Sequence, residues 1–320
     1  MSMPSIGLGT GAYTHEPGGE KECWTCDSIA YNSTRSWIEQ GGRLIDAGEC
    51  YGNQAEVGRA IADSGVARAE LFVSSKVGWC NGSTLGYDEA LRQHELNLRE
   101  LGLDYIDLLM IHWPGMTKGN TSSADASCTV EADDPAGCRR VTWQALLELR
   151  DKGDDGGALA VGVSNFEKHH LEDLDAIVGG NASRAPAVNQ MEFSALFHDD
   201  ALKSECDKRG IAVQATAPLN TPDKNSVDHH SWPPLFTRHA VKAAAASHSV
   251  TAAQVALRWV LHQGVGLVSR SRSAAHQHEN LAVAGAEGFD LTDAEVEAIG
   301  RLQRGNRTLK SYLPDPQDID

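Results

Sequence analysis

The strongest constraint on this 320-residue chain is alternation. Short apolar runs recur between helix-like stretches along nearly its whole length. The runs lie at Leu44–Ala47, Leu71–Ser75, Tyr105–His112, Leu159–Val163, Ala187–Met191, Ile211–Ala215, Val265–Ser269 and, weakly, Val283–Phe289. Between them, Tyr87, Leu91, His94, Leu98 and Leu101 step by four and three, marking one face of a helix. His94 lies on that face and reads as a packed helix histidine. Ala240–His248 and Ala252–Gln263 also read as helices, the second opening at Thr251. Near-continuous apolar strands separated by helices imply a parallel sheet with both faces covered. Eight such units fit a closed (β/α)8 TIM barrel, with a doubly wound sheet as the competing architecture. No Pro-, Gly- or Ser-rich linker divides the chain, so residues 1–320 are expected to form a single barrel domain.

Two stretches break the pattern. Met116–Arg139 is polar throughout and follows the third run, and Asn220–Pro234 follows the sixth. Loops this long inside a compact domain usually carry function or are disordered insertions. Both leave the carboxyl ends of strands, where barrel enzymes keep their active sites. The glycines of "GLGTG", Gly7 to Gly11, invite a dinucleotide-fingerprint reading. Their spacing is not G-x-G-x-x-G, and the following "AYTHEPGGE" opposes a helix. The better expectation is an N-terminal β-hairpin closing the bottom of the barrel.

The net charge of −16 argues against nucleic acid and anionic membranes as partners. No apolar segment is long enough to span a bilayer. The opening "MSMPSIGLGTGAY" lacks a basic region followed by a long apolar core, so a cytoplasmic location is expected and the five Asn-x-Ser/Thr sequons read as chance. Seven cysteines on a chain this large do not suggest a disulfide framework. Cys23 and Cys26 read as reduced residues at the head of a helix. Cys128 and Cys138 could pair if oxidised. No metal site is read.

The ionisable residues at the ends of the first three runs form a set. They are Asp46, with Tyr51 just beyond it, then Lys76 and His112. In a barrel all four would face one mouth. A free phenol has a pKa of about 10 and is a weak acid at neutral pH. An adjacent ammonium favours the phenolate and lowers that value. Asp46 would hold Lys76 charged, and His112 could hydrogen-bond a substrate oxygen or the phenol. Such a set delivers a proton to an oxygen becoming an alkoxide. Carbonyl reduction by a reduced nicotinamide is the natural reaction. The plainer reading is a buried Asp46–Lys76 ion pair among ordinary barrel residues.

The chain resembles the aldo-keto reductase family over nearly its full length. "MPSIGLGTG", "GGRLIDAGECYGN", "LGLDYIDLLMIHWP", "GVSNF" (Gly162–Phe166), "VNQMEFS" (Val188–Ser194) and "QVALRWVLHQG" (Gln254–Gly264) carry the resemblance in order. It implies the (β/α)8 barrel, NADPH as cofactor with NADH as the alternative, and a small-molecule carbonyl substrate. By motif match, Asp46, Tyr51, Lys76 and His112 become the catalytic tetrad, with Tyr51 as general acid. Ser164, Asn165 and Gln190 match residues that hold the nicotinamide carboxamide. Trp79 and Trp113 are expected to line an apolar substrate pocket. Two segments depart from the family pattern. "ATAPLN" (Ala215–Asn220) has Thr216 where an aromatic residue usually stacks on the nicotinamide, followed by Pro218 and Leu219. "VSRSRSAAHQHEN" (Val268–Asn280) has Arg270 for a lysine, keeps Ser271, and has His276 for an arginine. Glu279 and Asn280 match residues at the adenosine end. Arg270 and Arg272 form a phosphate-ready patch in an acidic protein.

The expected function is therefore NADPH-dependent reduction of aldehydes or ketones, by a monomer or weak dimer. Two alternatives stay open: a nucleotide-binding regulatory barrel with little turnover, and a non-redox barrel enzyme such as an isomerase.

Overall fold

The structure, a computed structural model, describes residues 2–11, 27–78, 85–115, 134–219, 235–285 and 289–303. Eight strands close into a barrel: β1 (Ile6–Gly9), β2 (Leu44–Asp46), β3 (Phe72–Val77), β4 (Ile106–Ile111), β5 (Ala158–Ser164), β6 (Val188–Glu192), β7 (Ala212–Thr216) and β8 (Gly266–Ser269). Each pairs in parallel with its sequence neighbours, and β1 pairs with β8 to close the ring. The principal helices are α1 (Asp27–Glu39), α2 (Gln54–Asp63), α3 (Tyr87–Leu101), α4 (Pro135–Lys152), α5 (Lys168–Asp173), α6 (Asp175–Val178), α7 (Asp200–Arg209), α8 (His239–His248), α9 (Ala252–His262), α10 (Ala274–Ala282) and α11 (Asp293–Gly300). None among the described residues is long and apolar enough to cross a membrane. α9 opens with the expected Thr251 cap, a reciprocal box with Gln254. His94 is buried on α3, its Nε2 3.1 Å from the Gly156 carbonyl oxygen.

Two hydrophobic clusters explain why the strands read as unbroken apolar runs. The larger packs the outer faces of the strands against the helices. The smaller holds Leu44, Phe72, Leu108, Met110, Val188 and Val268 inside the barrel. Alternate strand residues point to the same side. Thus Leu44 of the inner cluster shares a face with Asp46, Phe72 with Ser74 and Lys76, and Val188 with Gln190. The barrel interior is an apolar plug surmounted by a polar layer.

Two expectations about the strands require correction. Ile6–Gly9 is a barrel strand bonded on both edges, and no N-terminal hairpin is present among the described residues. The eighth strand is Gly266–Ser269. Val283 caps α10, and Val283 to Gly285 continue in its terminal turns rather than in a strand. The glycines of β1 misled because glycine ordinarily weakens strands. Here a Cβ on Gly7 would sit 2.5 Å from the Leu44 side chain and 3.0 Å from Val268. A Cβ on Gly9 would meet Arg270 at 3.3 Å, and one on Gly11 would meet the Tyr51 ring at 3.4 Å. The three glycines leave space that side chains from β2, β8 and the segments after them fill.

Of the two polar segments, residues 116–133 and 220–234 lie outside the described residues. Residues 135–139, expected as loop, belong to α4, which Asp134 caps through a bond from the Gly137 amide. Cys23, Cys26 and Cys128 also lie outside the described residues. Cys50 and Cys138 are each disulfide-bonded, which the cysteine count does not suggest, although Cys138 reads as able to pair. Pairing depends on which Cα atoms the fold brings within about 7 Å, which spacing along the chain does not reveal. Cys206 is a buried free thiol, its pKa pushed up to about 11 by burial.

The close fit at Gly7 predicts that Gly7→Ala destabilises the barrel by about 1–3 kcal/mol in urea unfolding, the range for overpacking a filled core. Adding Leu44→Ala should recover part of that loss. Strictly additive losses in the double variant would show that the two side chains do not compete for one space.

Candidate active site

The carboxyl ends of β2, β3 and β4 bring the four expected residues together. Asp46 ends β2, and Tyr51 closes the 3-10 turn Glu49–Tyr51 that follows it. Thr10 pins this connection, since its backbone N–H and its hydroxyl both donate to the Asp46 carbonyl oxygen. The Asn53 amide donates in turn to the Thr10 carbonyl oxygen at 2.8 Å. Lys76 lies near the end of β3, and His112 directly follows β4. The Lys76 Nζ donates to Asp46 Oδ1 at 2.7 Å and to the Ala47 carbonyl oxygen at 2.8 Å. The same Nζ is 5.0 Å from the Tyr51 ring centroid. Tyr51 and His112 meet edge to face, their centroids 5.6 Å apart.

Burial sets the electrostatics. Asp46 is 3% exposed and Lys76 1%. Burial alone would strip the lysine of its proton. Asp46, and then Tyr51, outweigh that cost and hold the Lys76 pKa above its ordinary value. Burial pushes the Tyr51 pKa up, and the ammonium of Lys76 opposes this only in part. The expectation of a net acidified phenol is therefore corrected: desolvation wins, and the phenol keeps its proton at neutral pH. Burial, reinforced by Lys76, drives the His112 pKa well down, so its imidazole is neutral.

Asp46 Oδ1 also accepts from Ser74 Oγ at 2.8 Å and from Gln190 Nε2 at 3.1 Å. The Gln190 Nε2 donates as well to Gln214 Oε1 at 2.7 Å. Ser164 ends β5, and Asn165 follows with a φ of 60°, a left-handed conformation that asparagine tolerates. Asn165 Nδ2 donates to the His112 carbonyl oxygen and to Ser164 Oγ, both at 3.0 Å. These bonds leave Asn165 Oδ1 as an acceptor and the Ser164 hydroxyl proton as a donor. That donor–acceptor set complements a primary carboxamide.

Thr216 is half-buried at the end of β7, opposite Glu192. Ala217 follows with a φ of 48°, a strained position for a non-glycine residue. Pro218 is buried and Leu219 half-buried. Arg270 follows β8 and reaches Gly11, its Nη1 3.4 Å from that carbonyl oxygen. Ser273 caps α10, and Ser271 hydrogen-bonds within the preceding turn. Arg272 and His276 are exposed. Basic side chains around a helix N-terminus make a natural anion site. The Glu279 carboxylate accepts from the Thr251 hydroxyl at 3.3 Å, and Asn280 donates to Ser269 Oγ at 3.4 Å. Trp113 is 3% exposed, whereas Trp79 lies outside the described residues.

Several contributors went unread in the sequence. Ser74 and Gln214 join the polar layer. Gln277 donates to the Ser33 and Ser271 carbonyl oxygens, tying the turn before α10 to α1. Arg139, buried in α4, pairs with Asp173 at 2.7 Å and donates to the Pro114 carbonyl oxygen at 2.9 Å. A signal existed for Ser74 and Gln214: each is a polar residue interrupting an apolar strand, on the inward parity.

A family model for the aldo/keto reductase family matches residues 5–304. The chain belongs to the aldo/keto reductase family. It is an oxidoreductase of that family. An aldo-keto reductase from Mycolicibacterium vanbaalenii is 34% identical, covering 99% of this chain and 92% of the relative. A glyoxal reductase from Bacillus subtilis is 33% identical, covering 100% and 94%. Among solved structures, a Bombyx mori aldo-keto reductase in complex with NADP superposes with a TM-score of 0.79. That structure is 28% identical and covers 98% of this chain and 95% of its own.

The burial of the Asp46–Lys76 pair predicts a large effect of Asp46→Asn. A neutral amide cannot offset the ammonium, so unfolding free energy should fall by about 3–5 kcal/mol, as when one partner of a buried pair is removed. A loss under 1 kcal/mol in denaturant titration would mean that the pair is hydrated in solution.

Proposed function

We propose that this chain reduces aldehydes or ketones to alcohols with NADPH, and that Tyr51 is the general acid. The observation that carries the reading is the Lys76 ammonium, buried between the Asp46 carboxylate and the Tyr51 ring beside a neutral His112. Ser164, Asn165 and Gln190 would hold the nicotinamide carboxamide. Arg270 and Arg272, beside the N-terminus of α10, would hold the phosphate end. Relatives act on carbonyls or alcohols by name, and one solved neighbour binds NADP. Reduced nicotinamide supplies the hydride when bound.

The chain's own residues manage the proton. The phenol of Tyr51 is protonated at neutral pH because burial raises its pKa. It gives that proton to the carbonyl oxygen as negative charge develops there. Lys76 stabilises the resulting phenolate, an interaction that strengthens as the proton leaves. Asp46 keeps Lys76 charged and fixed. His112, neutral, can donate one N–H to the substrate oxygen without competing as an acid. Gly11 and Gly48 flank the Tyr51 ring, a Cβ on either standing 3.2–3.4 Å from it, which confines the phenol.

Turnover of an aromatic aldehyde with NADPH, followed by cofactor oxidation, tests the reading. Tyr51→Phe should lower kcat by about 10²–10⁴-fold, the usual worth of a positioned acid. NADPH binding, read by fluorescence, should persist in that variant. Undiminished turnover would remove Tyr51 from the role. NADPH binding without turnover would favour a regulatory barrel, and no NADPH binding a non-redox enzyme.

The protonation states predict the pH profile. With His112 neutral, kcat/KM for reduction should show no inflection near the ordinary imidazole value of about 6.5. Activity should fall only on the alkaline side, above the ordinary phenol value of about 10, as Tyr51 loses its proton. An acid-limb inflection near 6.5 that vanishes in His112→Gln would contradict this assignment.

A further inference from the structure

Gln214 lies at the centre of β7, fully buried, with Gln190 of β6 directly opposite in register. The orientation of the two amides follows from proton accounting. Asp46, ionised against Lys76, can only accept. The Gln190 atom facing it must therefore be Nε2, as the 3.1 Å bond requires. The second Nε2 proton goes to Gln214 at 2.7 Å, so the Gln214 atom there must be Oε1. The remaining amide of Gln214 then turns to Met3, its Nε2 3.6 Å from the sulfur. Both N–H groups of Gln190 are consumed, one by Asp46 and one by Gln214. What Gln190 has left to offer the nicotinamide is an oxygen.

We propose that Gln214 is a positioning residue that makes Gln190 an obligate hydrogen-bond acceptor toward the nicotinamide, selecting cofactors that present an amide N–H₂ there. This inference rests on the reading that Ser164, Asn165 and Gln190 hold the carboxamide. Asp46 decides which Gln190 atom faces inward. Gln214 takes up the proton that would otherwise be free to swing toward the cofactor. Without that acceptor, Gln190 can tilt and donate to a carbonyl, and the distinction between an amide and a ketone substituent on the pyridine weakens. With it, a ring substituent lacking N–H meets only a lone pair. The second carboxamide acceptor, Asn165 Oδ1, is set by the same logic, because both Nδ2 protons are held by His112 and Ser164.

The test compares binding of NADP⁺ with its 3-acetylpyridine analogue, in which a methyl group replaces the amide N–H₂. Tryptophan fluorescence reads both affinities on the intact protein. The native chain should favour NADP⁺ by about five- to tenfold, the worth of one buried hydrogen bond. Gln214→Met conserves volume, removes the acceptor and can pack on Met3. It should reduce the preference to about twofold or less, mainly by improving analogue binding. Gln214→Leu, different in shape but equally without an acceptor, should give the same shift. A general loss of stability would weaken both cofactors equally and leave the ratio unchanged. An unchanged ratio in Gln214→Met and Gln214→Leu, with the ratio abolished in Gln190→Met, overturns the role of Gln214 and leaves the carboxamide site intact. No preference in the native chain, or none lost in Gln190→Met, overturns the carboxamide reading itself.

Discussion

A lysine ammonium sealed inside a barrel is the constraint around which this molecule is organised. Lys76 cannot reach bulk water, and an unpaired charge there would cost far more than a single domain can spare. Hydrogen bonds to Asp46 Oδ1 and the Ala47 carbonyl oxygen meet that demand from the adjacent strand β2 and the residue after it. The carboxylate that satisfies the lysine must itself be satisfied, and Ser74 and Gln190 do this. Gln190 then needs an acceptor, which Gln214 provides. One buried charge thus propagates polarity across β2, β3, β6 and β7, each partner chosen by the proton inventory of the one before.

The same charge gives the site its chemical asymmetry. The phenol and imidazole that share the cavity are both driven toward their neutral forms by burial. Of these three groups the lysine alone stays ionised, because the Asp46 carboxylate lies at contact distance. A neutral acid beside a fixed cation is poorly stabilised before its proton leaves and well stabilised after. That difference separates binding a substrate from turning it over. In the proposed reaction, the mouth of the barrel favours the moment of transfer rather than the resting state.

Most strand positions, helix periodicity and the gathering of Asp46, Tyr51, Lys76 and His112 were legible because each follows from a rule that acts locally. Alternation marks a buried parallel strand, and a charge at the end of an apolar run marks a cavity. The first strand was not legible, because Ile6–Gly9 is rich in glycine and its suitability lies in the Leu44, Val268 and Arg270 side chains that fill its face. The run at 283–289 misled in the opposite way: Val283 packs into the core from the end of a helix. The sign of the Tyr51 shift was also hidden. A neighbouring lysine can be read from spacing, but the depth of burial that outweighs it depends on the closed barrel. Gln214 and Arg139 became meaningful only when register and long-range contacts placed their partners.

Arg139 has one such consequence. Its guanidinium grips the carbonyl of Pro114, where the chain leaves the barrel after β4, from a position in α4, where the chain returns. Asp173 holds the other side of the same group. The two feet of the intervening excursion are thus tied at a single rivet. Loop-closure entropy grows only slowly with length once the ends are joined. A segment bounded in this way can be lengthened, shortened or exchanged through evolution while Asp46, Tyr51, Lys76 and His112 keep their places. Under the proposed function, what the chain accepts and how it reacts would then be separable.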